Sequence, residues 1–265
     1  MGVDARHTAT VYGRSLWAHF RSVVEYPADF WVMATTGIFW QIMSFGFVTI
    51  LFQNVNAVGG WGYHEMLMLV GFLAVAAGSP ALYWDGIWSI ADQVADGGMD
   101  YRITRPAPVM PQIATLHIGL QGVGEVPLGA AMFVYGWIGA GVGLGQIPVA
   151  LLLFACAAVI QVAMYTIANS ANFWVKGRVP VFGFFLVEMQ NEAMRFPLPV
   201  FPMAVRVLLT FAIPLAFASF VPVEILNGRA SEWWLLGPPL TAALLAALAV
   251  WIFRAGLRSY DSAGH

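Results

Sequence analysis

Charge, lysine and cysteine are what this chain has least of, and each shortage removes a class of chemistry. Its one cysteine, Cys156, lies inside an apolar run with no second thiol to pair with, so no intrachain disulfide can form and a packing role suffices for it. Its one lysine, Lys176, is followed by glycine. The Gly-Lys-Ser/Thr of a phosphate-cradling Walker loop is therefore missing, and the chain has no loop of this kind with which to hydrolyse ATP. Gly139, Gly141, Gly143 and Gly145 suggest a nucleotide loop at a glance, but no strand precedes them and no lysine follows them, and a tight uncharged turn explains them better. With 12 Lys and Arg against 14 Asp and Glu there is no basic face for nucleic acid. The five histidines are scattered, with no metal-ligand spacing and no Ser-His-Asp arrangement. Neither a metal nor a cofactor is expected in the chain, and an intramembrane enzyme is disfavoured.

Apolar residues take up the difference. The 265 residues are 60% hydrophobic and 10% charged, with a mean hydropathy of +0.74, more apolar surface than a soluble domain of this size could bury. The expected fold class is an all-α integral membrane protein with six transmembrane helices. Uncharged runs predict spans at 30–52, 66–84, 109–137, 147–175 and 233–253, the third interrupted by His117, Glu125 and Pro127. The first 29 residues are polar and charged, so no cleavable signal peptide is expected and the first span would serve as its own insertion signal. Within them, residues 8–26 show an amphipathic repeat (Tyr12, Leu16, Phe20, Val24) opposite Arg14, Ser15, Arg21 and Glu25, the pattern of a helix lying on a membrane surface and touching its lipids.

The fifth span has two readings. Either 179–195 crosses and the proline-punctuated 203–224 forms a re-entrant hairpin turning near Pro214, or 179–195 lies on the surface and 207–223 crosses. Placing the amino terminus in the cytoplasm puts Arg6, Arg14, Arg21, Arg102, Arg105, Lys176, Arg178, Arg254 and Arg258 inside, nine of the 12 basic residues. Both termini, including the tail 259–265, are then cytoplasmic.

The largest polar island, Trp84 to Pro111, separates the second and third spans. Ile87, Ile90, Ala91 and Val94 fall at i, i+3, i+4 and i+7, with Asp85, Ser89, Asp92, Gln93 and Asp96 opposite, which predicts a short amphipathic helix ended by Gly97-Gly98. Such a helix suits contact with a soluble partner. Elsewhere, His117 and Glu125 are eight residues apart and are expected to share a helical face, either as a proton relay or substrate contact or simply buried at a helix interface or near the headgroups. Glu188, Glu192 and Arg195 stand at helical spacing, as pathway groups or as structural i, i+3 and i, i+4 pairs.

Two motifs, Asp100-Tyr101-Arg102-Ile103-Thr104-Arg105-Pro106 and Phe196-Pro197-Leu198-Pro199-Val200-Phe201-Pro202 leading to Arg206 and Leu209-Thr210-Phe211-Ala212-Ile213-Pro214-Leu215-Ala216-Phe217, carry a resemblance to permeases of the ABC-2 type. These are the six-span membrane subunits of ABC exporters whose ATPase is a separate chain. The resemblance implies that 85–108 couples to the ATPase, with Ile87, Ile90, Val94, Tyr101, Arg102 and Arg105 at the contact; positive-inside topology also accounts for the two arginines. It implies two ATPase subunits that bind ATP and Mg, a second permease forming a homo- or heterodimer, an outer re-entrant hairpin before the last span, and a place in the cytoplasmic membrane. A hydrophobic or amphiphilic substrate, such as a drug, lipid or peptide, would follow. The departure from the family is the short 179–195 segment with Glu188 and Glu192. A proton-coupled secondary transporter using Glu125, Glu188 and Glu192 is the alternative.

Overall fold

Without water, an apolar run satisfies its backbone amides by coiling into an α-helix. In the computed structural model, which describes residues 5–25, 27–175 and 177–261, the chain is 80% helical and no strand occurs among the described residues. Lys176 and the last residues of the tail, 262–265, lie outside the described residues. Among the described residues four stretches are long and apolar enough to cross a membrane: Pro27–Asn54, Tyr63–Ala95, Leu144–Val175 and Glu232–Arg258. The main helices are α1 (Ala5–Glu25), α2 (Pro27–Asn54), α3 (Tyr63–Gly78), α4 (Gln121–Gly139), α5 (Ile147–Ser170), α6 (Val181–Ala193) and α7 (Gly237–Arg258).

The centre of the bundle is the pair α3 and α4, with α2 against α4 and also touching α3, α5 against α3, and α6 and α7 against α5. Small residues allow the close approach. A carbon placed on Gly71 would lie 2.4 Å from the Phe133 amide nitrogen, and one on Gly124 would lie 2.2 Å from the Ala34 carbonyl oxygen. Phe72, stacked on Phe154 at 4.2 Å, fills the seam between α3 and α5.

The expected third span, 109–137, is not one helix. It divides into Val109–Ala114 and α4, and the chain between them leaves the helical path so that the Gly119 amide can donate to the Ala81 carbonyl (2.8 Å). His117 and Glu125 therefore do not share a helical face. The polar island also differs from expectation. Its first part, Asp85–Ser89 and Ile90–Ala95, continues the second span instead of standing apart as a surface helix, and Gly97, at φ 72°, turns the chain into Gly98–Ile103.

Neither reading of the fifth span is a single full-length helix. At 13 residues α6 is about 20 Å long, short of a hydrocarbon core of about 30 Å. Residues 207–223 break at Ile213-Pro214, where a proline that cannot donate ends the turn Leu208–Ala212. Contacts locate the ends of these pieces. Arg178 pairs with Asp96 (2.9 Å) at the polar-island end, whereas Phe196 packs edge-on against Phe47 (6.0 Å) near the α2–α3 loop. From there 197–228 leaves and comes back to the same loop, since Phe220 packs on Trp61 (5.1 Å) and Arg229 donates to the Gly60 carbonyl (3.1 Å). The start of α3 is held there too, because Glu65 accepts from the Gly62 amide (2.8 Å) and pairs with Arg229.

Helix α1 lies at the polar-island end. Tyr12 donates its hydroxyl to the Tyr83 carbonyl and packs by Trp84, and burial pushes the Tyr12 phenol up to about 12. Trp17 and Phe20, stacked 6.0 Å apart, stay exposed on the outside of the molecule.

Candidate functional site

A cavity of about 730 Å³ lies between α2, α3, the Asp85–Ser89 turn, α4, α5 and α6, within the size range of small-molecule sites. Helical spacing supplies its walls. Thr36, Trp40 and Ser44 recur every four residues on α2 with Gln41 beside them, Gln121 and Glu125 share a face of α4, and Phe184, Val187 and Gln190 come from α6. Asp85, Ser89 and Asp92, at i, i+4 and i+7, add a polar stripe, and Tyr165 closes the α5 side. Because α2 and α6 do not pack closely together, the space between them stays open. It closes toward the α2–α3 loop, where the Arg195 guanidinium sits 5.1 Å from the centroid of the Trp40 ring and Phe196 meets Phe47. It reaches Asp92 and His117, both exposed, at the polar-island end.

The lining is polar for its depth. Glu125 lies beside Gly37 and Gly78, each near the middle of its candidate span. Gln41 is 5% exposed and Gln190 3%, yet Gln41 Oε1, Gln190 Nε2 and Gln121 Oε1 have no hydrogen-bond partner among the described residues. Buried polar atoms are almost always paired, and these three amide groups belong to residues lining one cavity, although Gln161 and Asn169 elsewhere in the fold also keep atoms without a partner among the described residues. Trp88 packs against Tyr165 (5.7 Å) and Phe184 (5.6 Å), which gives one wall an aromatic surface.

The cavity brings together His117, Glu125 and Arg195 from different elements. Glu188 and Glu192 are exposed on α6 and do not line it, and no salt bridge joins them to Arg195 among the described residues. Asp85, Asp92, Gln41 and Gln190 are site residues that the sequence did not single out for this role. The i, i+4, i+7 spacing of Asp85, Ser89 and Asp92 was the available signal, but spacing shows that a helix has a polar face without showing what it faces.

The stretch expected to meet an ATPase is divided by burial. Ile87 (1% exposed), Ile90 (0%) and Val94 (7%) belong to the chain's own core, with Met99 beside them. Their apolar face points inward and the opposite polar face borders the cavity. Beyond Gly97 the surface turns outward: Tyr101 is 63% exposed, and Arg105 lies over its ring, 4.1 Å from the centroid, while bonding its hydroxyl. Arg102 turns inward to Gln93 Oε1 (2.8 Å), and burial, with Arg105 nearby, holds its pKa below the usual arginine value. The Arg178–Asp96 pair beside this surface is well exposed on both sides, so Asp96→Asn should change the unfolding midpoint by no more than about 1 kcal/mol would in a thermal melt.

Residues 38–264 match the family described as ABC-2 family transporter protein. No curated protein matches the chain.

Proposed function

We propose, for a chain that belongs to the ABC-2 transporter family and is thus the permease component of an ABC transporter, that it forms the membrane half of an ATP-driven exporter in the cytoplasmic membrane. The observation that carries this is the family match over 38–264. The outward-facing Tyr101 and Arg105 offer the ATPase a contact on the short turn between two membrane helices. ATP and Mg belong to the partner: two ATPase subunits close on ATP and push this turn, while two permeases, identical or related, stand side by side. The chain passes six times between the two ends of the bundle, the fifth time through 179–196; the Arg178–Asp96 contact at one end and the Phe196–Phe47 contact at the other support that count. The basic residues favour both termini on the cytoplasmic side, and the exposed Trp17 and Phe20 suit α1 to the membrane surface. The cavity, reaching the polar-island end and closed by Trp40 and Arg195 at the other, holds a hydrophobic or amphiphilic substrate in an inward-open state.

Mild-detergent purification of the tagged chain from its host, with mass spectrometry and an ATPase assay of the eluate, tests this reading. A co-purifying ABC ATPase is the expected result, and a second permease sequence in the eluate would identify a heteromer. One observation favours a second reading: Glu125 stands between two candidate spans in a polar cavity, where a proton-coupled carrier would need a carboxylate. Recovery of the chain alone, with transport driven by a pH gradient and lost in Glu125→Gln, would establish that reading instead.

A further inference from the structure

Taking the cavity as the substrate site of this permease, we propose that it selects an organic cation with an apolar body, its charge held by Asp85 and Glu125 and its body by the aromatic wall of Trp84, Trp88, Tyr165 and Phe184. The ionisable groups that line the space decide its sign. Asp85, Asp92 and Glu125 are acidic, Tyr165 carries no charge, His117 stands at the exposed polar-island end, and Arg195 is engaged over Trp40. The balance is negative. Neither Asp85 nor Glu125 has a hydrogen-bond or ion-pair partner among the described residues, although Glu125 lies between two candidate spans and both are only partly accessible.

A carboxylate placed in a low-dielectric setting without a partner is costly, and such groups pair with one another, with backbone or with what passes through. An anionic substrate would add a like charge beside two unpaired carboxylates. A neutral one would leave them unpaired while covering the surface they now expose. A cation relieves both costs, and aromatic ring faces add attraction for it, strongest where water is excluded. Trp88 is central to this wall, with Tyr165 and Phe184 packed on either side of it. Of the unpartnered amide atoms, Gln41 Oε1 and Gln121 Oε1 accept only and suit a donor-bearing or cationic guest, while Gln190 Nε2 donates.

The test uses two ions of one shape and opposite charge, tetraphenylphosphonium and tetraphenylborate, with the full chain purified in mild detergent together with whatever ATPase accompanies it. Equilibrium dialysis should show saturable binding of tetraphenylphosphonium at least tenfold tighter than of tetraphenylborate. Asp85→Asn and Glu125→Gln should each weaken the cation about tenfold, and the charge-preserving Asp85→Glu and Glu125→Asp should restore much of it. Glu232→Gln, in the exposed turn just before α7 and away from the cavity lining, should leave binding unchanged. Size-exclusion profiles confirm that each variant is folded, and the charge-preserving pair keeps the test decisive if an amide variant is not. Equal binding of the two ions, tighter binding of the borate, or cation binding indifferent to Asp85 and Glu125 would overturn the proposal. Proton uptake that depends on the two carboxylates with no saturable cation binding would overturn it as well. None of these outcomes affects recovery of the ATPase, so failure here is separable from failure of the permease reading.

Discussion

Gly71→Leu should abolish recovery of folded protein from the membrane, and Gly71→Ala should already lower its unfolding midpoint. The cause lies in which atoms occupy the space. A carbon at Gly71 meets the Phe133 amide nitrogen at 2.4 Å, the Gly129 carbonyl oxygen at 2.6 Å and the Phe133 Cα at 2.9 Å. All three are backbone, so no rotamer change relieves the clash and the two helices have to move apart. Overpacking a core costs about 1–3 kcal/mol where side chains can yield, and here the strain falls on the central helix pair of a fold whose total stability is of order 5–15 kcal/mol. Separation also opens the contacts along that pair, including Gly136 against the Met68 amide, 2.5 Å from a carbon at Gly136. Gly143 is the control, since nothing lies within 4 Å of a carbon there and its φ of −71° suits any residue. Gly143→Ala should change the midpoint by no more than about 0.5 kcal/mol would. Fluorescence-detected size exclusion of a tagged chain, followed by thermal melts of the monodisperse fraction, measures all three. A well-folded Gly71→Leu protein would mean that α3 and α4 are not in such close contact.

Long uncharged runs were the most legible part of the sequence. The expected spans 30–52, 66–84, 147–175 and 233–253 fall within the four long apolar stretches of the structure, because absence of charge over a membrane's thickness is a property of the chain alone. The break at 115–120 was not legible, because it rests on a hydrogen bond from Gly119 to Ala81, remote in sequence. For 203–224 the sequence left two readings open, a hairpin turning near Pro214 or a crossing, and where the ends of 197–228 sit was not legible, since contacts with Trp61 and Gly60 decide it. In the site, Glu125 stood out as a charge within an apolar run. Gln41 and Gln190 did not, because an uncharged amide barely disturbs a hydropathy profile, and their significance comes from being buried without partners around a shared space.

The island from Trp84 to Pro111 shows the same limit and yields the second large effect. Periodicity found an apolar face on Ile87, Ile90 and Val94, and both a soluble partner and the chain's own core could cover such a face. Burial shows the core covering it. Ile90→Asp should therefore remove the permease itself. Truncating a buried isoleucine costs about 2–5 kcal/mol, and a carboxylate buried without a partner adds a further penalty of several kcal/mol or forces its own protonation. Arg105→Glu combined with Tyr101→Ala should do the opposite, because both side chains are exposed and their mutual stacking crosses no helix interface. That double variant should reach the membrane at the normal level, elute as a single species and retain its unfolding midpoint, yet lose the co-purifying ATPase. Parallel purification of the two proteins, scored for folded yield and for ATPase activity per mole of permease, separates the roles. A folded Ile90→Asp permease lacking its ATPase would show that the apolar face turns outward to a partner. A double variant that keeps its ATPase would move the contact away from the Gly98–Ile103 turn, toward the neighbouring surface at Asp96 and Arg178.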